Sequence, residues 1–193
     1  MSSAGARGPR AEHDAAPSTI RCFVALQPDP PALDRLEQVV REQHARFPSA
    51  RRMRRENLHL TLAVIGALQA GRARQVAATL AGQTPPSFDW ALDSLGAFAG
   101  ARVLWAGSND GQLEALAARA RALLDDLGVR FDRKPFVAHV TLLRDLPRGA
   151  ADDAARRIEP PIVWRAQAPL LLESRTESGG VRYLPVAPRG SND

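Results

Sequence analysis

The chain has 193 residues, 45% of them hydrophobic, enough for one well-packed domain and too many for a wholly disordered polypeptide. Its net charge of +5 comes from 26 Lys+Arg against 21 Asp+Glu, and every basic residue except Lys134 is arginine. No apolar run approaches the roughly 18 residues that a membrane span needs, and the lone cysteine, Cys22, can make no internal disulfide, so a reducing cytoplasm is the expected compartment.

Residues 1–18 carry Gly, Pro, Ser and charge without hydrophobic periodicity or the apolar core of an export signal, and are read as a mobile tail. Foldable sequence begins near Ile20 with a strand-length apolar run, which Gln27-Pro28-Asp29-Pro30-Pro31 ends. Leu33, Leu36, Val39 and Val40 then recur at helical spacing, with Pro31 as the opening residue. After the basic stretch 51–55 the pattern predicts a strand over 58–65, stopped by Gly66, and a helix over 70–81, broken by Thr84-Pro85-Pro86. Strands follow around 88–95 and 102–106. Ser108-Asn109-Asp110-Gly111 turns into a helix whose apolar stripe is Leu113, Leu116, Ala117, Ala120 and Leu124. A strand over 136–143 comes next, then a short polar helix over 150–157. Two last strands near 162–174 and 181–187 are joined at Gly179-Gly180, and residues 189–193 are read as a flexible end.

Two blocks superpose at an offset of 80 residues: strand 22–26, helix 31–47 and strand 58–65 map onto 102–106, 111–127 and 138–145. The matching strands carry His59-Leu60-Thr61-Leu62 and His139-Val140-Thr141-Leu142. The expectation is an α+β fold: one bilobal domain over 19–188, built from duplicated strand–helix–strand units, with antiparallel sheets lining a central groove and helices outside. Side chains alternate along a strand, so each His and Thr share a face while the residues between them face the core. Two imidazoles and two hydroxyls would then meet in one groove.

Those parts suit phosphodiester chemistry without a metal. In-line attack on phosphorus needs a base for the nucleophile and an acid for the leaving oxygen, and histidine can be either near neutrality. Threonine hydroxyls can hold the phosphate oxygens as charge develops. Against a metal centre, the sequence offers no close His/Cys/Asp/Glu spacing of the kind that holds zinc, so neither metal nor cofactor is expected. The other two histidines, His13 in the tail and His44 on the first helix, have no such context.

Several further residues are candidates. Arg144 lies five positions after His139 and has the opposite strand parity, so it reaches the phosphate only if the strand bends. Phe23 fits two roles, a ring that stacks on a base or a core aromatic; the same two readings stand for Trp105, and Tyr183 fits the core or the groove rim. The run Arg51, Arg52, Arg54 and Arg55 leads into the first motif, as a guide for a phosphodiester backbone or as a solvated loop; Arg54, Arg55 and Arg144 are the arginines nearest the motifs.

Paired His-x-Thr motifs at this separation resemble the two-histidine (2H) phosphoesterase superfamily, in particular the LigT-like RNA 2′,3′-cyclic phosphodiesterases. The resemblance spans about residues 20–187: Arg21 to Leu26, Glu56-Asn57-Leu58 before the first motif, Ile65-Gly66 after it, Lys134-Pro135-Phe136 before the second, and Glu173-Ser174-Arg175 with Gly180 and Tyr183 near the end. Met53 departs from it, where many relatives carry tryptophan. The resemblance implies hydrolysis of 2′,3′-cyclic phosphate at RNA 3′ ends to a 2′-phosphomonoester, with 2′–5′ ligation as the reverse reaction. It further implies His59 as proton donor, His139 as proton acceptor, and Thr61 and Thr141 as phosphate holders. Other small cyclic phosphates, 2′–5′ oligonucleotides and non-catalytic binding of RNA ends stay open as alternatives. A monomer suffices, because one chain supplies both lobes.

Overall fold

The computed structural model describes residues 18–83 and 87–188, so the expectations for the tail at 1–17, for the break at 84–86 and for 189–193 lie outside the described residues. The chain runs β1 (Thr19–Leu26), α1 (Pro30–Arg46), β2 (Arg51–Arg52), a 3₁₀ turn (Arg55–Asn57), β3 (Leu60–Gln69), α2 (Ala70–Ala81), β4 (Phe88–Phe98), β5 (Val103–Gly107), α3 (Gly111–Asp126), β6 (His139–Arg144), β7 (Arg156–Ala166), β8 (Leu170–Glu177) and β9 (Gly180–Pro185). All strand pairs are antiparallel, in the order β7-β4-β5-β6-β3-β1-β8-β9 with β2 beside β6.

Four strands lie on each side of the β3–β6 junction, and that junction is one residue pair, Leu60 opposite Val140. These are the equivalent positions of the two motifs, so the local twofold relation between the halves passes between them. Each repeat supplies the inner two strands of its half, β1 and β3 or β5 and β6. The outer pair of the first half, β8 and β9, arrives only at the end of the chain.

The helices obey the sequence pattern but cross over. On α1 the residues Ala32, Leu36, Val39 and Val40 are buried, and on α3 all five predicted stripe residues are. Asp29 caps α1 by accepting from the Ala32 N–H at 2.9 Å, while its other oxygen accepts from the Arg165 N–H of β7 at 2.8 Å. The helix following β1 therefore lies against β6 and β7, in the opposite half, and α3 in turn lies against β3. Trp90 and Trp164 face each other across β4 and β7, 1% and 0% exposed, and anchor the second half.

Four expectations change, the first being that Gly66 does not stop the first-motif strand: with its positive φ it sits beside an irregularity in the pairing with β1, and β3 runs on to Gln69. Residues 149–154 form turns, not a helix, and β7 begins at Arg156, where Ile158, Ile162, Trp164 and Ala166 turn inward against β4. The strand expected over 162–174 is two strands, interrupted at residues 167–169. Strands also start later than the apolar runs suggest: β6 opens at His139 itself and β3 one residue after His59. Among the described residues no helix is long and apolar enough to cross a membrane.

Candidate active site

Because Leu60 pairs with Val140, extending the antiparallel register by one residue sets His59 across from Thr141 and Thr61 across from His139. Leu60, Leu62, Val140 and Leu142 are at most 1% exposed and hold this junction from beneath. The four polar side chains line one solvent-open cleft of about 750 Å³. Arg144, Arg121 of α3, Lys134 and Asp132 share its walls, and Lys134 is ion-paired to Asp132 at 3.3 Å.

Arg144 reaches the cleft through a bulge. Trp105 of β5 pairs with Thr141, yet the neighbouring Leu104 pairs with Leu143, so Leu142 is an extra residue in β6. A bulge inverts the alternation beyond it. Leu142 and Leu143 are both buried, and Arg144 returns to the face of His139 and Thr141. The first motif repeats the device: Ala25 pairs with Thr61 and Val24 with Ala63, which makes Leu62 the extra residue and turns Val64 into the cleft. The two halves differ at this matched position, arginine in one and valine in the other.

Both imidazoles are held the same way. His59 Nδ1–H donates to the Asn57 carbonyl at 2.7 Å, and His139 Nδ1–H donates to the Val137 carbonyl at 2.7 Å. A carbonyl only accepts, so each neutral ring carries its hydrogen on Nδ1 and leaves Nε2 as the reactive nitrogen. The Thr61 hydroxyl lies 3.1 Å from His59 Nε2, whereas His139 Nε2 has no hydrogen-bond partner among the described residues. Burial pushes His59 down from 6.5 to about 4, with the charges of Arg144 and His139 adding to it and the Asn57 carbonyl opposing it. His139 is also lowered, chiefly by burial and further by Arg144, against the Val137 carbonyl.

Aromatic rings pack behind each histidine. Phe23 lies 4.9 Å from His59 and 5.0 Å from Tyr183, and Tyr183 meets the His59 ring edge-on at 4.9 Å. Phe23 is only 9% exposed and is covered by these rings, so its place is a support for His59, with no free face to stack on a base. Tyr183 is half-buried at the rim. In the other half Phe98 meets His139 edge-on at 4.9 Å, with Trp105 at 6.4 Å. Sequence reasoning missed the role of Asn57. Its amide donates to the Val181 carbonyl at 2.7 Å and accepts from the Tyr183 N–H at 3.0 Å, joining β9 to the residue that orients His59. A polar residue two places before a catalytic-type histidine, inside the loop, is the signal that was available.

The arginine run divides. Arg55 turns away to α1, bonded to Asp34 at 2.5 Å and Glu37 at 2.8 Å, which removes it from the candidate RNA contacts. Arg51, Arg52 and Arg54 line a second cleft beside the first. Met53, the departure from the family pattern, is 7% exposed and donates its N–H to the Leu142 carbonyl at 2.9 Å, so it braces the bulge from the wall of that second cleft. Among the described residues no group of three or more His, Cys, Asp or Glu is placed to hold a metal ion.

Comparison with known proteins agrees with this geometry. The family model of the 2′-5′ RNA ligase superfamily matches residues 25–176, which include both motifs and the bulges that follow them. The chain belongs to this superfamily. An Escherichia coli K12 protein named RNA 2′,3′-cyclic phosphodiesterase is 31% identical over 172 residues, 86% of this chain and 93% of its own. An Archaeoglobus fulgidus protein of the same name is 30% identical over 129 residues, 65% of this chain and 72% of its own. The crystal structure of Escherichia coli LigT complexed with 3′-AMP superposes with a TM-score of 0.75 at 26% identity, covering 87% of this chain and 95% of that one. A Thermus thermophilus protein shares the fold, with a TM-score of 0.71 at 21% identity, covering 90% of this chain and 100% of that one.

Proposed function

We propose that this chain hydrolyses RNA 2′,3′-cyclic phosphate ends to 2′-phosphomonoesters by paired-histidine acid–base catalysis. The observation that carries the reading is the junction of the two motifs, which gathers two Nε2 atoms, two hydroxyls and Arg144 around one cleft. Binding alone would need donors and positive charge; two imidazoles with matched tautomers suit proton transfer at both ends of an in-line displacement. The names of the two relatives support the substrate class.

In this reading His139 Nε2, which no described protein group occupies, takes a proton from water. The water oxygen bonds to phosphorus, the bond from phosphorus to the 3′ oxygen breaks, and His59 Nε2–H protonates that oxygen. Thr61, Thr141 and Arg144 hold the non-bridging oxygens, where fixed donors act most strongly in a desolvated site. In the empty cleft burial keeps His59 neutral near pH 7. A bound phosphodiester anion opposes both the burial cost and the repulsion from Arg144, so the substrate itself charges the acid. With a 5′-hydroxyl in place of water as the nucleophile, the same pair in the same roles would join that hydroxyl to the cyclic end through a 2′–5′ linkage, His139 taking its proton and His59 protonating the departing 3′ oxygen. In the same reading residues 19–188 act as one bilobal domain and a monomer suffices, because both halves of the cleft come from a single chain, and the reducing cytoplasm is the compartment that suits the lone, unpaired Cys22.

The test is an RNA oligonucleotide ending in a 2′,3′-cyclic phosphate, incubated without added metal, with the product resolved as 2′- or 3′-phosphate. The expected product is the 2′-phosphate, and His59→Ala and His139→Ala each lose nearly all turnover while remaining folded at the assay temperature near pH 7. Wild-type rates in either variant would overturn the mechanism.

A further inference from the structure

The second cleft, about 1070 Å³, shares Arg144 with the first, and its walls include Arg51, Arg52, Arg54, Asn57, Tyr183 and the β8–β9 turn. Among the described residues no carboxylate lines it. Its arginines are not loose surface groups. β2 pairs with β6 so that Arg51 stands directly opposite Arg144 and Arg52 opposite Leu143. Like charges placed opposite each other across two strands are destabilising, and Asp145, 3.2 Å from Arg51 on a well-exposed side chain, offsets little of this. Arg54 is seated on the hairpin turn, where a Cβ at Gly179 would sit 3.3 Å from its Nη2 and one at Gly180 3.4 Å from it. Its contact to Glu56 is 4.0 Å long, and Arg52 makes no ion pair with a described carboxylate. A row of guanidinium groups, fixed to the strand that carries His139 and short of counter-charge, is a receptor for a chain of phosphates.

We infer that this second cleft binds the phosphodiesters immediately upstream of the reacting end, so that the protein selects the 3′ end of an RNA strand over a free nucleoside 2′,3′-cyclic phosphate. The inference rests on the phosphodiesterase reading and adds the substrate class within it. Arg144 is the hinge between the two sites, since it faces the reacting phosphate on one side and the upstream backbone on the other. Discrimination then resides in Arg52 and Arg54, outside the proton-transfer machinery.

The experiment measures kcat/KM for a trinucleotide with a 2′,3′-cyclic phosphate end and for the corresponding mononucleotide. It compares the wild type with Arg52→Gln/Arg54→Gln, over about 50–300 mM salt. The wild type should favour the trinucleotide at least about ten-fold, mainly through KM, and its logarithmic salt dependence should be steeper by about 0.7 per additional phosphate contacted. In the double variant the ratio of the two kcat/KM values should fall at least about five-fold and the difference in salt slope should shrink. An unchanged ratio, including equal losses on both substrates, would overturn the second subsite while leaving the hydrolysis reading intact. No wild-type turnover on either substrate would remove both.

Discussion

Gly107→Ala offers a sharp test of how the sheet holds its catalytic-type histidine. Gly107 ends β5 and pairs with His139, and a Cβ built there would lie 2.3 Å from the Ala138 carbonyl oxygen and 3.3 Å from the His139 Cα. Ordinary contact begins near 3.4 Å, so the loop entering β6 must retreat by about 1 Å. The glycine has no positive φ, so alanine carries no conformational penalty of its own, and the whole cost is this collision. Overpacking of this kind costs about 1–3 kcal/mol, or a fall in melting temperature of about 2–12 °C for a chain of this size. A shift of about 1 Å in a reacting group costs about a hundred-fold in rate. Activity on the cyclic-phosphate oligonucleotide, measured well below the melting temperature, should fall by that order. Gly71→Ala is the control: it lies in α2 with nothing within 4 Å, and should raise stability by about 0.5–1 kcal/mol without touching the site. Wild-type turnover and melting in Gly107→Ala would refute the reasoning.

The remaining predictions concern charge and support. Both histidines are lowered from 6.5, so the pH profile of kcat/KM should peak below that value. Arg144→Gln, which removes a shared cause of the lowering, should move the profile upward while reducing the rate; a maximum above about pH 7 in the wild type contradicts this. Stability should follow the same groups: between pH 6.5 and about 4 the unfolded chain binds the His59 proton that the folded chain refuses, so melting temperature falls as pH falls through that window, and His59→Ala flattens the fall. Asn57→Ala leaves the Val181 carbonyl and Tyr183 N–H of β9 without their partner and should cost about 1–3 kcal/mol by denaturant titration, with a loss of rate because Tyr183 backs the His59 ring. Arg55→Ala breaks only partly exposed pairs to Asp34 and Glu37 and should leave both the melting temperature and the rate on oligonucleotide nearly unchanged; a selective rise in KM would restore Arg55 to the RNA contacts.

Much of this protein was legible in one dimension because its signals are local and repeated. Strand alternation put each His with its Thr, the stripe Leu113, Leu116, Ala117, Ala120 and Leu124 defined α3, and the offset between His59 and His139 announced two related halves. These follow from backbone periodicities, which any stretch of chain carries within itself. Three-dimensional pairing decided the rest. That α1 serves the half containing β6 and β7 is a matter of packing between distant segments, marked by the bond from the Arg165 N–H to Asp29. Arg144 enters the cleft only because Leu142 is surplus to the pairing with β5, a fact of register between two strands and of neither alone. Phe23 became a support for His59 when β9, from the far end of the chain, laid Tyr183 beside it. Composition and periodicity thus determined which residues could do the chemistry. The sheet register and the crossing of helices determined which of them meet, because contacts between distant segments depend on how whole strands align and leave no periodic trace in either segment.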